Sequence, residues 1–278
     1  MSRIFSMLSE QKITSKQNPK IKFVAKLRDR GKRNRLGLFI VEGFRECWRA
    51  FESGVTFESL FFCAKFFRNG NFDEFVRSVA RANVDIFELS GDVFEKISVR
   101  SGCDGILAIC RTWQSSLQGL KFRENSLFLV VDGIEKSGNL GALMRSAESA
   151  NVDAMFICNP VADIFNHNAV RTSQGALFSL AIFQTTREEV CEILLKNGVA
   201  IFATTPSAQR RYWEADMVPS TAIVVGAEHD GLPEFWLHGD RTTAVSMPQL
   251  GRADSLNVND AAAIVLYDAI RQRLSRRS

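Results

Sequence analysis

The run Ser126–Val131 (SLFLVV) constrains this chain more than any other stretch, because five consecutive residues in it are apolar and leave no face for water. A strand of that kind is buried on both sides, which calls for a parallel sheet with helices packed over it. A glycine-bearing loop from Asp132 to Gly141 runs into a helical pattern over Leu140–Ala150. The alternation continues with strand Val152–Cys158, helix Asn168–Ala176, strand Phe178–Phe183, helix Arg187–Lys196, and strands Val199–Thr204, Ala222–Val225 and Thr242–Ser246. It closes on an alanine-rich helix after Gly251, with Val258, Ala261, Ala262, Val265, Leu266 and Ala269 on one face. Asn257 or Asn259 would cap that helix, and Asp260 sits favourably in its first turn. The rhythm predicts an α/β domain over residues 126–278.

A shorter α/β pattern precedes it. Residues 1–12 show no pattern and read as disordered. Ser15 or Asn18 would cap a helix with Pro19 in its first turn, and Ile21, Val24, Ala25 and Leu27 would form its buried stripe. Strand Leu38–Val41 ends at Glu42-Gly43, and a helix over Phe44–Glu52 stops at Gly54. Strands Ser59–Cys63, Val84–Leu89 and Gly105–Cys110 alternate with helices Phe72–Ala82 and Asp92–Ile97. Phenylalanine is abundant here, and most of it is expected in the core. The stretch Trp113–Asn125 loses periodicity, so residues 1–113 read as one domain and 114–125 as a linker.

Composition narrows the function. With 278 residues and 46% hydrophobic content, two domains can each bury a core. No apolar run approaches a membrane span and the N-terminus lacks a signal-peptide pattern, so a soluble, cytoplasmic protein is expected. Six scattered cysteines and three separate histidines suggest neither a disulfide framework nor a metal site. The net charge of +4 is unevenly divided: residues 1–113 carry 20 basic against 13 acidic residues (+7), and the remainder 15 against 18 (−3). Lys12–Arg35 alone holds ten basic residues and one acid, Asp29, a density that suits a polyanion such as nucleic acid.

Three loops at strand carboxyl ends could share one crevice, the place where α/β sheets hold ligands. The first is Asp132–Gly141, opening the helix that bears Arg145. It is neither a dinucleotide fingerprint nor a phosphate-binding P-loop. The second, Gly226–Pro233, offers glycines for close backbone approach and Glu228 as an acceptor. Its adjacent His229 and Asp230 read as a solvated pair. The third is Met247–Asn257.

These loops resemble the three motifs of the SpoU (TrmH-type) branch of the SPOUT RNA 2′-O-ribose methyltransferases. The first motif, Asn-x-Gly-x-x-x-Arg, is met by Asn139–Arg145; the second, Gly-x-Glu-x-x-Gly-Leu, by Gly226–Leu232; the third by Pro248 and, after a spacer, Ser255-Leu256-Asn257-Val258. Val170–Phe178 is similar to the family's internal Arg-x-Ser-x-Gly-Ala segment. More weakly, Ile13–Arg111 with its Val41-Glu42-Gly43 resembles the ribosomal-protein-like substrate-binding domain of many members. Departures are Lys136-Ser137 where Asp-Pro is frequent, Met247 where isoleucine is usual, and Asn259 where serine is usual.

The resemblance implies a C-terminal SPOUT domain with a deep trefoil knot, preceded by a small α/β RNA-binding domain and working as a homodimer without metal or membrane. It implies S-adenosylmethionine held by Gly226, Met247 and Leu256 together with Gly231 and Val258. The methyl group would pass to a ribose 2′-hydroxyl of ribosomal or transfer RNA. Arg145 would handle the proton or stabilise developing alkoxide charge, roles between which the sequence does not choose. Ser255 and Asn257 would orient ribose and arginine, Asn139 would fix the loop, and Glu228 would hold the arginine or a cofactor group. Lys20, Lys22, Arg30 and Lys32 would grip phosphates. The rival readings are a non-catalytic RNA-binding or ribosome-assembly protein on the same fold, and a base-methylating relative.

Overall fold

The computed structural model describes residues 12–67, 71–99, 102–237, 241–252 and 255–276, so the expected disorder of the N-terminal stretch lies outside the described residues except at Lys12. Two compact units emerge. One comprises the described residues up to Trp113 together with Ile164–Phe178; the other comprises Gln114–Asp163 and the residues from Ser179 onward.

In the first unit, Asn18 caps helix α1 (Pro19–Lys26) by accepting from Lys20 N at 2.9 Å. Ile21, Val24 and Leu27 are buried, while Ala25 is only partly so. The basic run then breaks, which periodicity alone does not reveal. Asp29 accepts from Lys32 N at 2.9 Å and so caps a second short helix, α2 (Arg30–Leu36), which Gly37 ends with φ 63°. Strands β1 (Leu38–Glu42), β2 (Phe57–Phe62), β3 (Asp85–Glu88) and β4 (Ile106–Arg111) form a sheet in the order β1-β4-β2-β3. Only the β2–β3 pair is parallel. Helices α3 (Phe44–Glu52), α4 (Phe72–Arg81) and α5 (Gly91–Ile97) complete this part. Phe57, Phe61, Phe62, Phe72 and Phe75 are buried in it. Glu42, only 5% exposed, accepts from Ser98 Oγ and from Val99 N (2.8 Å), so this acid holds the chain that leaves α5.

The second unit is built on six parallel strands: β5 (Leu127–Asp132), β6 (Ala154–Cys158), β7 (Ile182–Thr185), β8 (Ala200–Thr204), β9 (Thr221–Val225) and β10 (Thr243–Val245). Their order is β10-β8-β9-β5-β6-β7, with every neighbouring pair parallel. Every residue of β5, β6 and β9 is buried. Helix α6 (Ser137–Ser149) leaves the first loop, α8 (Arg187–Lys196) precedes β8, and α9 (Glu234–Leu237) follows the second loop. Helix α10 (Val258–Ser275) packs along α6. The stretch read as a linker carries anchors, since Leu117, Leu120 and Phe122 pack against this unit's core. Among the described residues no helix is long and apolar enough to cross a membrane.

The segment Ile164–Phe178 departs from the expected pattern. Helix α7 (His167–Ser173) stops early because Gln174 (φ 52°) and Gly175 (φ 94°) take left-handed conformations, and a 3-10 turn over Ala176–Phe178 replaces the start of the predicted strand. A Cβ on Gly175 would collide with the Arg49 side chain, whose Nη1 donates to Gln174 O at 3.1 Å. Phe165 packs against Phe39 and Trp113, with centroids at 4.8 and 4.9 Å. This segment therefore completes the first unit.

Candidate active site

The carboxyl ends of β5, β8, β9 and β10 open on one cavity of about 550 Å³. Its size is that of a small-molecule site. Nine residues singled out in the sequence line it: Asn139 from the first loop, Gly226, Glu228 and Gly231 from the second, and Met247, Ser255, Leu256, Asn257 and Val258 from the third.

Backbone geometry shapes the second loop. Ala227 N donates to Gly231 O at 3.0 Å and Gly231 N returns to Ala227 O at 3.1 Å, with Gly231 at φ 67°. This turn folds back onto Gly226 so closely that a Cβ there would clash with the backbone of Gly231 and Leu232. Only glycine fits, and the cavity wall at this point is bare main chain.

Three motif side chains join the loops. Asn139 Nδ2 donates to Glu228 Oε1 at 2.5 Å, tying the first loop to the second. Asn257 Nδ2 lies 3.5 Å from Asn139 Oδ1, extending the chain to the third. Asn257 also caps α10, its Oδ1 accepting from Asn259 N at 2.9 Å, so its side chain is held from both ends. Asn259 accepts from Ser146 Oγ at 2.8 Å and fastens α10 to α6. Val258 and Ala261 are only partly buried because they face the cavity, whereas Ala262, Val265, Leu266 and Ala269 are fully packed.

Arg145 sits elsewhere. It is exposed on α6, outside the cavity lining, and makes no hydrogen bond or ion pair among the described residues. Within one chain, Glu228 therefore holds Asn139 rather than this arginine. His229 and Asp230 are exposed at the cavity rim.

Other residues had no motif to flag them. Thr204, Thr205 and Pro206 line the cavity from the end of β8, and Thr204 Oγ1 donates to Val224 O at 2.9 Å. A polar turn directly after an apolar strand was the available signal. Asp132, 1% exposed at the end of β5, accepts from Trp236 Nε1 at 2.7 Å and from Arg187 Nη2 at 3.2 Å. This buried pair ties the start of the first loop to the helix that follows the second. A buried carboxylate of this kind is stable only when so compensated. Burial pushes the neighbouring Cys158 thiol well up, with the Asp132 charge adding to it. All six cysteines are buried free thiols, and among the described residues no cluster of three or more His, Cys, Asp or Glu could hold a metal ion.

In the first unit the basic run is divided by task. Arg33 is buried and donates to Leu27 O and Arg28 O, while Arg28 donates to Lys96 O, Ile97 O and Ser98 O at the end of α5. Those two arginines hold structure. Lys20, Lys22 and Arg30 are exposed and Lys32 is partly so, with Lys20 Nζ 4.2 Å from the centroid of the Phe87 ring.

Residues 126–267 match the model of the SpoU rRNA Methylase family, just over half of the chain. The chain belongs to that family. Residues 18–108 match the MRM3-like substrate binding domain. Among curated SpoU relatives, the 23S rRNA (guanosine(2553)-2′-O)-methyltransferase RlmP of Bacillus subtilis is 27% identical over 258 residues, covering 92% of this chain and 98% of its own. A solved RNA 2′-O ribose methyltransferase is 37% identical with TM-score 0.83, covering 95% of this chain and 99% of its own. The SpoU methyltransferase AviRb of Streptomyces viridochromogenes, solved in complex with AdoMet, is 25% identical with TM-score 0.81, covering 93% and 99% respectively.

Proposed function

We infer that the cavity of the second unit is where this enzyme methylates a ribose 2′-hydroxyl of ribosomal RNA. The protein is an S-adenosylmethionine-dependent RNA methyltransferase. The observation that carries the assignment of this site is the chain Glu228–Asn139–Asn257, which links all three motif loops across one glycine-walled cavity.

The cavity fits the cofactor. Gly226 lets the turn through Gly231 and Leu232 close against it, which a Cβ would prevent, and this glycine-bearing turn lines the cavity beside Val225 and Ala227. Val225, Leu232, Leu237, Leu256 and Val258 supply an apolar wall for a planar base. Gly226, Gly231, Met247, Leu256 and Val258 would hold the group, which when bound supplies an electrophilic methyl on a sulfonium. Knotting of this part of the chain belongs to the same reading.

The chain's own residues prepare the nucleophile. Ser255 and Asn257 orient the ribose, and Asn139 keeps Glu228 and Asn257 in register. The 2′-hydroxyl must lose its proton as the new O–C bond forms. Arg145 stands outside its own cavity, so it acts on the partner's site in a homodimer, offsetting alkoxide charge with its guanidinium. Two features support that dimer. Helix α10 keeps a second apolar stripe exposed, with Ile264 at 39% and Tyr267 at 51%, and α6 beside it displays Arg145. The first unit grips RNA phosphates through Lys20, Lys22, Arg30 and Lys32. A cytoplasmic address, where ribosomal RNA is processed, fits the same account.

The test is calorimetry of the purified protein with S-adenosylmethionine and with its demethylated product. One site per subunit for both is expected. Folded protein that binds neither would favour the non-catalytic reading.

A further inference from the structure

Among the described residues that line the cavity, Lys136 is the one lysine or arginine; the other charged groups described there are the carboxylates Glu228 and Asp230, with His229 beside them. Its side chain is exposed and has no hydrogen bond or ion pair among the described residues. It also sits in a poor place for a cation. Lys136 is the N-cap residue of α6, with φ −84° and ψ 114° and no side-chain capping bond. A neutral or acidic capping residue would satisfy an amide there, and a positive charge opposes the positive end of the helix dipole. Local rules broken without compensation are expected where a residue serves a ligand.

Substrate chemistry supplies the partner. In RNA, the 2′-hydroxyl and the 3′-phosphodiester are borne on adjacent ribose carbons. A ribose whose 2′-oxygen enters the cavity therefore carries an anion to its lip. There the phosphate would meet Glu228 and Asp230, and Lys136 is the cation that the described lining of this chain sets beside them. Because it lines the cavity and is exposed, it is within reach of what stays outside, namely the backbone of a large substrate.

We propose that Lys136 forms an anion subsite at the mouth of the cavity, binding the phosphodiester next to the methylated ribose. The inference rests on the reading that this cavity holds the cofactor and the target ribose. Lys136 is thus a positioning residue that acts through the RNA backbone.

The experiment uses the full-length protein, an in vitro transcript of the organism's large-subunit ribosomal RNA, and S-adenosylhomocysteine as the cofactor probe. In Lys136→Ala, RNA affinity should fall about five- to tenfold near physiological salt, and the slope of log affinity against log salt should shrink by about one. Lys136→Arg should restore that slope, since a cation returns without the original side chain. Lys136→Glu should bind RNA more weakly than the alanine variant. Affinity for S-adenosylhomocysteine should stay within about twofold in all three. An unchanged salt slope in Lys136→Ala overturns the proposal. So does a loss confined to S-adenosylhomocysteine, which would assign the ammonium to the cofactor's carboxylate. Failure of the unaltered protein to bind S-adenosylhomocysteine would instead remove the underlying reading of the cavity, and this subsite with it.

Discussion

Replacing Gly226 by alanine adds one methyl group to the most confined point of the cavity wall. The new Cβ would lie inside contact distance of Gly231 O, Gly231 C and Leu232 N, all backbone atoms that no rotamer change can move. Relief requires opening the turn closed by Ala227 N→Gly231 O (3.0 Å) and Gly231 N→Ala227 O (3.1 Å). Each such bond contributes about 1 kcal/mol net, so roughly 2 kcal/mol is at stake in the loop. If the cofactor requires the closed turn, that converts to about a thirtyfold loss of affinity. Because the loop can yield locally, melting temperature should drop by only a few degrees, roughly. Calorimetric titration with S-adenosylhomocysteine, paired with a thermal melt, measures both. Gly138→Ala is the control, since a Cβ there meets nothing within 4 Å and lies within a helix. It should bind normally and melt no lower. A Gly226→Ala protein that binds within about twofold of the unaltered one would refute the argument that bare backbone at this point forms the cofactor site.

Three further outcomes follow from the same structure. Arg145→Ala should lose turnover by a factor on the order of a hundred while keeping cofactor affinity, and mixed dimers of Arg145→Ala with Gly226→Ala should regain part of the activity through the one intact site. No recovery in confirmed mixed dimers would contradict the shared-site reading. Neutralising Lys20, Lys22, Arg30 and Lys32 together should weaken RNA binding and flatten its salt dependence without touching cofactor affinity; unchanged binding at moderate salt would make them a merely solvated surface. His167 is held below its ordinary value of 6.5 by burial, with the charges of Arg33, Arg28 and Arg171 adding to it, and its Nδ1 is buried without a partner. The depressed value means the unfolded chain takes up the proton more readily. The stability it contributes is present above pH 6.5 and is lost as pH falls through the lower folded value. Thermal melts from pH 7 to pH 5 should therefore fall less steeply in His167→Gln than in the unaltered protein, and parallel curves would contradict this.

Much of the architecture was legible because strands and helices here obey simple patterns. The continuous apolar run at Leu127–Val131 became a strand buried along its whole length. Helices Phe44–Glu52 and Arg187–Lys196 begin and end where the pattern placed them. The failures have physical causes. Asp29 looked like a stray acid in a basic run, but as an N-cap it splits that run into two helices. Gln174 in a left-handed conformation cannot be read from residue type, so the helix after His167 was drawn too long and the next strand too early. Leu117, Leu120 and Phe122 are too irregularly spaced to signal an element, yet they are packed. At the site, motif spacing gathered nine cavity residues but could not say that Glu228 would hold Asn139, or that Arg145 would be exposed outside the lining of its own cavity. Side-chain partners across loops leave no periodic trace in one sequence.

The central claim is that this cavity methylates a ribose of ribosomal RNA. It is tested most directly by incubating the purified protein with S-adenosylmethionine and large-subunit ribosomal RNA from cells lacking the gene, then digesting the RNA to nucleosides for mass spectrometry. The account predicts one new nucleoside methylated on the ribose 2′-oxygen, diminished with Gly226→Ala at limiting cofactor. A methyl group found on a base would contradict it, as would transfer to no RNA by folded, cofactor-bound protein.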